Sequence, residues 1–368
     1  MQKKFILPAA VLSVVFCASS AYSATVEVYG RVDMGLNYTH KSKTGKASTD
    51  EFSLISGQNS SSRIGLKGKE DLGNGLKVGF NLDSGFDADS GELKKDRLFN
   101  REALLWISGD WGEIGMGRCG VLDSGNGRYG LLDDDVTPFG TGWEDIGDSR
   151  FNFLGQHTRT DNVLTYKSPD FAGTTLYFEL SPQMEGVIDD ENYYSKNEGT
   201  NDSNTYFGFG LKYVGQSFTG VLTASYIDIG EPQIPEIDDA YAVTLAGAYD
   251  IGKWKFMAGA QYFDSGLLMN QNGVGDQYED NNGKGWGAYI GTQAKVLSGK
   301  VYGMVGYTDA ETVEQNPEDI KKWMLALGYE YRLSKTTHCY VGAGFNHEEV
   351  GSKETELTQF MTGLVHKF

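Results

Sequence analysis

The amino-acid sequence predicts an all-β protein, a 16-stranded antiparallel β-barrel that spans a membrane. Apolar and polar residues alternate through sixteen segments, so that each segment has one apolar and one polar face. Tight turns and long polar loops alternate between these segments. The mean hydropathy is −0.39, which excludes a bundle of membrane-spanning helices because apolar spans of about 20 residues would raise it. A closed barrel satisfies its backbone polar groups without water, and an even strand number with short turns at one rim is typical of outer-membrane barrels.

The composition excludes several other classes of protein. The 368 residues include 49 Gly and 7 Pro, and 12% are aromatic, which is too aromatic and too poor in proline for a disordered chain. Lys and Arg number 32 against 50 Asp and Glu, a formal net charge of −18, whereas a nucleic-acid binder needs a basic surface. Three cysteines are too few for a disulfide scaffold. We expect Cys119 and Cys339 to act as small apolar side chains, although an oxidising compartment would permit a bridge.

Residues 1–23 have the features of a secretory signal peptide. Two lysines near the start precede an apolar run over residues 5–18, and the small residues Ala21 and Ser23 precede the expected cleavage site. The alternative is an uncleaved N-terminal anchor, for which the apolar run is short. The mature chain is therefore expected to be residues 24–368, a single transmembrane β-barrel domain.

The strands follow one another along the chain with the same alternation. In the first of them the even positions from Val26 to Leu36 are mostly apolar, while the odd positions include Glu27, Arg31 and Asp33. A helical period of 3.6 cannot produce this pattern. Periodicity alone leaves open a large soluble β-sandwich or propeller. The predicted strands are 25–38, 59–70, 76–86, 98–109, 113–119, 159–169, 173–183, 204–215, 217–228, 239–251, 253–264, 285–297, 300–310, 321–333, 337–347 and 356–368.

The connections between these strands alternate in length. Short turns occur at 71–75, 110–112 and 334–336, for example, and they contain the Gly, Asn, Ser and Asp residues that tight turns favour. The long connections are polar and rich in Gly, Asp and Asn, and we place them together at the other rim. They are predicted at 39–58, 84–97, 120–158, 184–203, 265–284 and 348–355.

A set of ordered motifs along the whole mature chain resembles one family of membrane proteins. It is similar to the Gram-negative trimeric general porins, particularly the branch typical of Neisseria, Bordetella and Comamonas. Each motif is short, but their order is specific, and between them they run from the first strand to the last. The matching stretches are 28–35, 61–77, 84–86, 97–103, 108–112, 117–118, 159–173 and 362–368.

The resemblance implies that a long third loop, here 119–158, folds into the lumen and narrows it. Acidic residues of this loop would face a basic wall across the constriction; for the acidic run the alternative is an ordinary solvated loop. By parity Arg31, Arg63 and Arg159 fall on the lumen face, whereas Arg101 shares parity with apolar residues and needs a bulge. Arg118 belongs to a matching stretch as well, and for this residue the alternative to a place in the basic wall is a salt bridge at an interface or one that latches a loop. The implied basic wall is Arg31, Arg63, Arg101 and Arg159, and the implied acidic residues are Asp133, Asp134, Asp135, Glu144 and Asp145.

The resemblance also implies how the protein is assembled and where it acts. The terminal Phe368, with Leu364 and Phe360 at alternate apolar positions, matches the family's signal for the barrel-assembly machinery. We expect a homotrimer in the bacterial outer membrane, where it contacts lipid and lipopolysaccharide. The chain would be exported through the periplasm to that membrane. No cofactor, metal site or nucleic-acid partner is expected, although loosely held divalent cations at the acidic loops are an alternative.

The implied function is a water-filled channel for passive diffusion of small hydrophilic solutes and ions. The alternatives are a solute-selective outer-membrane channel and a barrel enzyme of the outer membrane. The five histidines lack metal-ligand spacing, and no G-x-S-x-G motif occurs, so we predict no enzymatic activity. The acidic net charge of the chain favours cations near the channel mouths, whereas at the constriction the acidic run opposes the arginines and neither sign dominates. We therefore expect weak cation preference at low salt, which fades at high salt as the loop charges are screened.

Overall fold

A computed structural model describes residues 25–143, 146–184, 199, 203–230, 239–264, 283–313 and 316–368. The predicted signal peptide, residues 1–23, lies outside the described residues, as does most of the predicted loops 184–203 and 265–284. Short 3-10 turns occur at Lys94–Asp96 and Ser149–Phe151. None of the helical segments in the described parts is long and apolar enough to cross a membrane.

The described residues form seventeen strand segments in one antiparallel sheet. Most boundaries lie within a few residues of those predicted from the alternation. The segments are β1 (Thr25–Lys43), β2 (Thr49–Ser56), β3 (Arg63–Gly73), β4 (Leu76–Gly85), β5 (Glu102–Gly109), β6 (Gly112–Gly120), β7 (Arg159–Lys167), β8 (Thr174–Ser181), β9 (Thr205–Val214), β10 (Phe218–Asp228), β11 (Ala240–Ile251), β12 (Trp254–Asp264), β13 (Gly283–Val296), β14 (Gly299–Thr312), β15 (Asp319–Arg332), β16 (Thr337–Val350) and β17 (Lys353–Lys367).

The sheet closes on itself through its first strand. One edge of β1 pairs with β17, from Arg31 opposite Lys367 to Lys43 opposite Thr355. The other edge pairs first with β3 and then with β2, so β2 and β3 together occupy one strand position around the barrel. The prediction of a closed 16-stranded antiparallel barrel is therefore confirmed, with its second strand interrupted.

The alternation of the sequence separates an apolar outer face from a mainly buried inner face. In β11, Tyr241, Val243 and Leu245 are exposed, whereas Ala242 and Thr244 are buried. Exposed large apolar side chains recur in this way from strand to strand. A continuous apolar surface of this extent is typical of contact with a membrane or another protein. The inner face carries the polar and small residues that water or an inserted loop can contact.

The predicted loop 39–58 is wrong over most of its length. Strand β1 continues to Lys43, and β2 runs antiparallel to it after a short turn. Phe52 lies opposite Tyr38 and Leu54 opposite Leu36, which extends the apolar outer face beyond the point where charged residues suggested a loop. Only residues 57–62, which leave the ladder at Gly57 with φ +82°, separate β2 from β3.

The predicted loop 348–355 is also wrong. Strand β16 continues to Val350 and β17 begins at Lys353, so the connection is a tight turn in which Gly351 has φ +57°. This left-handed conformation is one that glycine adopts without steric cost. The polar residues of 348–355 thus belong to two paired strands that extend beyond their apolar parts.

Closure of the barrel places the terminal residue beside the first strand. The amide of Phe368 donates to the carbonyl oxygen of Gly30 and the Gly30 amide donates to that of Phe368, both at 3.1 Å. A Cβ on Gly30 would lie 2.5 Å from the Phe368 ring, so the ring fills the space that the glycine leaves. Leu364 and Phe360 lie exposed on the same outer face.

Phe368→Ser should lower the yield of assembled barrel, because it keeps the backbone pair with Gly30 but removes the terminal aromatic ring. The measurement is the fraction of outer-membrane protein that migrates as a folded barrel in unheated detergent gels. Leu297→Ser is the control, since Leu297 is 93% exposed in the turn between β13 and β14. Equal folded fractions in both variants would show that Phe368 has no part in assembly.

Candidate functional site

The connection between β6 and β7, residues 121–158, packs against the inner face of the barrel, and we call it the inner loop. The Tyr289 hydroxyl donates to the carbonyl oxygen of Val136 at 3.0 Å, and the Gln293 amide donates to that of Pro138 at 2.7 Å. Buried residues of the loop share one apolar cluster with buried residues of the strands. The loop members of this cluster include Leu122, Leu131, Leu132, Val136, Phe139, Trp143, Ile146, Phe151 and Phe153.

Charged side chains fasten the inner loop on two sides of the barrel. Arg128 of the loop donates two hydrogen bonds to the Glu113 carboxylate, at 2.7 and 2.6 Å, and lies 4.2 Å from the centre of the Trp106 ring. Farther along, the Phe151 ring lies 4.3 Å from the ammonium of Lys322, which pairs with Glu348 at 3.3 Å. Lys322 and Glu348 are completely buried, so this ion pair exchanges its hydration for contacts with the loop.

A buried carboxyl lies where the inner loop begins. Asp123 is 1% exposed and its Oδ2 accepts a hydrogen bond from the Ser225 hydroxyl at 3.1 Å. Burial raises the pKa of Asp123 to about 7, despite hydrogen bonds that favour the charged form. Burial also lowers the pKa of His157, at the other end of the loop, to about 4. Both groups are therefore sensitive to the packing that holds the loop in place.

The arginines predicted for the basic wall lie together on the inner face. Arg31 and Arg63 are directly opposite each other in the β1–β3 pairing. The Nε atoms of Arg63 and Arg101 lie 3.6 and 3.4 Å from the two oxygens of Asp83, so two guanidinium groups share one carboxylate. Arg159 donates instead to the side-chain oxygen of Asn126 in the inner loop, at 2.6 Å.

The placement of Arg101 differs from the parity argument. Arg101 precedes β5, its amide donates to the carbonyl oxygen of Asp83, and the inward positions of β5 begin at Glu102. No bulge is therefore needed to bring Arg101 to the lumen. A bulge occurs in β6 instead, where the register shifts between Gly117 and Cys119. It buries Arg118, which pairs with Asp161 of β7 at 2.9 Å, a salt bridge between neighbouring strands of the barrel.

The acidic run of the inner loop is largely paired with lysines. The Lys212 ammonium lies 2.7 Å from Asp135 and 3.6 Å from Asp133, and Lys255 lies 3.9 Å from Asp135. Burial raises the pKa of Asp133, whereas for Asp135 the two lysines outweigh burial and lower the pKa. Asp134 is exposed toward the lumen.

Two of the predicted acids and the predicted divalent cation complete the account of the acidic run. Glu144 and Asp145 lie outside the described residues. One ligand oxygen from each of Asp133, Asp134 and Asp135 lies within 4.8 Å of the others. A loosely held divalent cation there would have to compete with the ammonium groups of Lys212 and Lys255.

A cavity of about 1010 Å³ extends from the tip of the inner loop toward the short turns. Within the described part of the chain, the acidic side chains that line it are Asp133, Asp134 and Glu330. The basic side chains are Arg31, Arg63, Arg101, Lys295, Lys300, Arg332, Lys335 and Lys367. Among the described lining residues, eight basic groups against three acidic ones make this part of the lumen electropositive, although the whole chain is strongly acidic.

Sequence reasoning missed most of these basic residues. The alternation that assigns Arg31 to the inner face would equally have assigned Glu330 and Arg332 to it. In β15 both residues share the parity of the buried Met324, and Trp323 has the other, outward parity. Lys300 likewise shares parity with the buried Tyr302. No spacing signal places Lys335, because it lies in a turn. The pairing of Lys212 with the acidic run depends on how the loop folds.

The buried Asp123 predicts a pH dependence of stability. A pKa raised from 3.8 to about 7 means that unfolding releases a proton between these values, so stability falls as pH rises through this window by at most about 1.4 kcal/mol per pH unit. Asp123→Asn should remove that slope in calorimetric unfolding temperatures from pH 4 to 8. His157 contributes the opposite slope between pH 4 and 6.5 in both proteins, so the difference between them isolates Asp123.

Asp170→Asn provides the control for that experiment, because Asp170 is exposed in the turn between β7 and β8. Its unfolding temperature should follow wild type at every pH. If Asp123→Asn also follows wild type, the carboxyl is hydrated and ionised in the native protein.

Comparison with known proteins agrees with this geometry. A family model described as Gram-negative porin matches residues 9–351. An outer membrane porin protein of Bordetella pertussis is 26% identical over the full length of both chains. Outer membrane porin protein 32 of Delftia acidovorans is 28% identical, covering 93% of this chain and 89% of its own.

Solved structures show the same fold. The anion-selective porin from Comamonas acidovorans superposes with a TM-score of 0.71 at 24% identity, covering 94% of this chain and 100% of its own. The family model extends over β1 to β16 and the inner loop. The chain belongs to the Gram-negative porin family, and it forms a water-filled channel through the bacterial outer membrane for passive diffusion of small hydrophilic solutes and ions.

Proposed function

We propose that the inner loop narrows this channel and that the narrowed part prefers small anions. The observation that carries the proposal is the excess of basic side chains around the 1010 Å³ cavity at the loop tip. Of the three acids among the lining residues that the structure describes, Asp133 already faces Lys212. This proposal replaces the expected weak cation preference, which rested on the acidic net charge of the chain and on an acidic run that balances the arginines at the constriction.

Local charge decides the preference because the electric field of distant charges is screened. The Debye length is about 8 Å at physiological salt, so acidic groups of the outer loops act weakly at the loop tip. Charges inside a narrow lumen with walls of low dielectric constant are screened less. The porin from Comamonas acidovorans, which has the same fold, is anion-selective, and this likeness supports the same preference for this chain.

We also propose a homotrimer, with lipopolysaccharide around its outer rim and the barrel-assembly machinery as its insertion partner. The continuous apolar outer face supports burial against lipid or a second barrel, and the family resemblance supports three copies. A solute-selective channel is the alternative within the same class. It would need a binding track in the lumen, for which the row of basic side chains is the candidate.

Purified protein in planar bilayers should give conductance steps in groups of three, with reversal potentials in asymmetric KCl that favour chloride. Lys300→Gln combined with Arg332→Gln should lower the anion-to-cation permeability ratio at least twofold, because both side chains line the cavity. Lys321→Gln removes one positive charge from an exposed position beside Asp319 and should leave the ratio unchanged.

Each other outcome of these recordings excludes something specific. A cation-favouring wild type in 0.1 M KCl would contradict the anion preference. Single steps without grouping would contradict the trimer. Hydrolysis of a lipid or peptide substrate without conductance would support the barrel-enzyme alternative.

Neutralising the acidic run tests whether the inner loop forms the narrow part. Asp133→Asn, Asp134→Asn and Asp135→Asn together should increase the preference for chloride, because they leave Lys212 and Lys255 without their carboxylate partners. The same reversal-potential measurement applies. An unchanged potential would mean that ions do not pass close to this segment.

A further inference from the structure

The interrupted second strand holds a buried carboxylate in a nest of donors. Residues 57–62, which we call the inward bend, leave the ladder between β2 and β3 and wrap around Asp33 of β1. The amides of Asn59 and Ser60 donate to its Oδ2 at 2.8 and 2.7 Å. The Tyr340 hydroxyl donates to its Oδ1 at 2.8 Å. Asp33 is completely buried, so its carboxylate fixes the shape of the inward bend.

The inward bend contacts the tip of the inner loop through Asn59. The amide of Trp143 donates to the carbonyl oxygen of Asn59 at 3.2 Å. The approach is close, since a Cβ built on Gly142 would overlap that oxygen. The Asn59 side chain donates to Glu330 and shares a hydrogen bond with His338, both at 3.0 Å. One residue therefore connects the loop tip to two further strands.

The loop tip is held in a conformation that it would not keep alone. Trp143 has φ +72°, which is uncommon for a bulky residue and persists only where the surroundings enforce it. Its ring lies between Phe139, Tyr302 and Tyr340, with centroid distances of 5.5, 5.2 and 5.8 Å. The ring packs onto Gly328, where a Cβ would lie 2.8 Å away.

We propose that Asp33 and Asn59 form a clasp that fixes the tip of the inner loop across the lumen. They are positioning residues: Asp33 holds the inward bend, and the bend holds the Gly142–Trp143 backbone, which sets the width and steadiness of the narrow part. The proposal rests on the proposed constriction. The inner face of β1 then has two roles, since Arg31 lies in the basic wall and Asp33 anchors the loop tip.

The Gly142→Ala variant tests the clasp with a single methyl group. The added Cβ must displace the Asn59 carbonyl, so the tip should detach and the open-channel current should show transient closures at least three times more often than wild type. Gly303→Ala is the matched control, because its Cβ would meet Leu327 at 3.6 Å and Thr292 at 4.0 Å, which are ordinary contacts. Asp33→Asn should change the current in the same direction by removing the charge at the centre of the bend.

Folding and positioning are separated by recording only from protein that migrates as a folded barrel in unheated detergent gels. The clasp is overturned if folded Gly142→Ala and Asp33→Asn channels show the closure frequency of Gly303→Ala. If neutralising the acidic run shifts the reversal potential while these channels close no more often than wild type, the constriction is supported and the clasp is wrong. If neither set of variants changes the current, both the constriction and the clasp are wrong.

Discussion

Closure of the backbone hydrogen-bond ladder at β1 is the constraint on which the rest of the structure depends. A barrel in a membrane cannot leave an open edge, because each unsatisfied backbone group costs several kcal/mol without water. β1 meets this constraint by pairing with β17 on one edge and with β2 and β3 on the other. Closure fixes parity, and parity then brings Arg31 and Asp33 to the inner face, where one forms the wall and the other holds the inward bend.

The inner loop is stable inside a lumen because its charged groups are paired and its apolar groups meet small or aromatic wall residues. Arg128 finds Glu113, and the acidic run finds Lys212 and Lys255. Pairing of the loop acids leaves the arginines and lysines of the wall in excess. A chain with a formal net charge of −18 thereby presents an electropositive passage, because pairing and position decide the local field more than net charge does.

The barrel could be predicted from the sequence because a period of two is a strong signal that recurs in every strand. The same signal placed Arg31, Arg63 and Arg159 inward. It could not show that β2 exists, because the run of polar and charged residues over 39–51 resembles a loop, nor that Asn59 leaves the ladder around Asp33. The partners of Asp133 and Asp135 are far away in sequence, so no local pattern reveals that Lys212 neutralises them. The alternation also predicts inward positions for Lys300 and Arg332, but neither residue belongs to a motif of the porin family resemblance.

The most direct test of the central claim is to locate ions in the lumen by anomalous diffraction from crystals of the wild-type protein. Crystals soaked in bromide should show anomalous peaks beside Arg31, Arg63 and Lys300, around the cavity at the loop tip. Parallel soaks in rubidium should leave that cavity empty. Rubidium peaks at Asp134 and Glu330, with no bromide near the arginines, would contradict an electropositive passage and the account built on it.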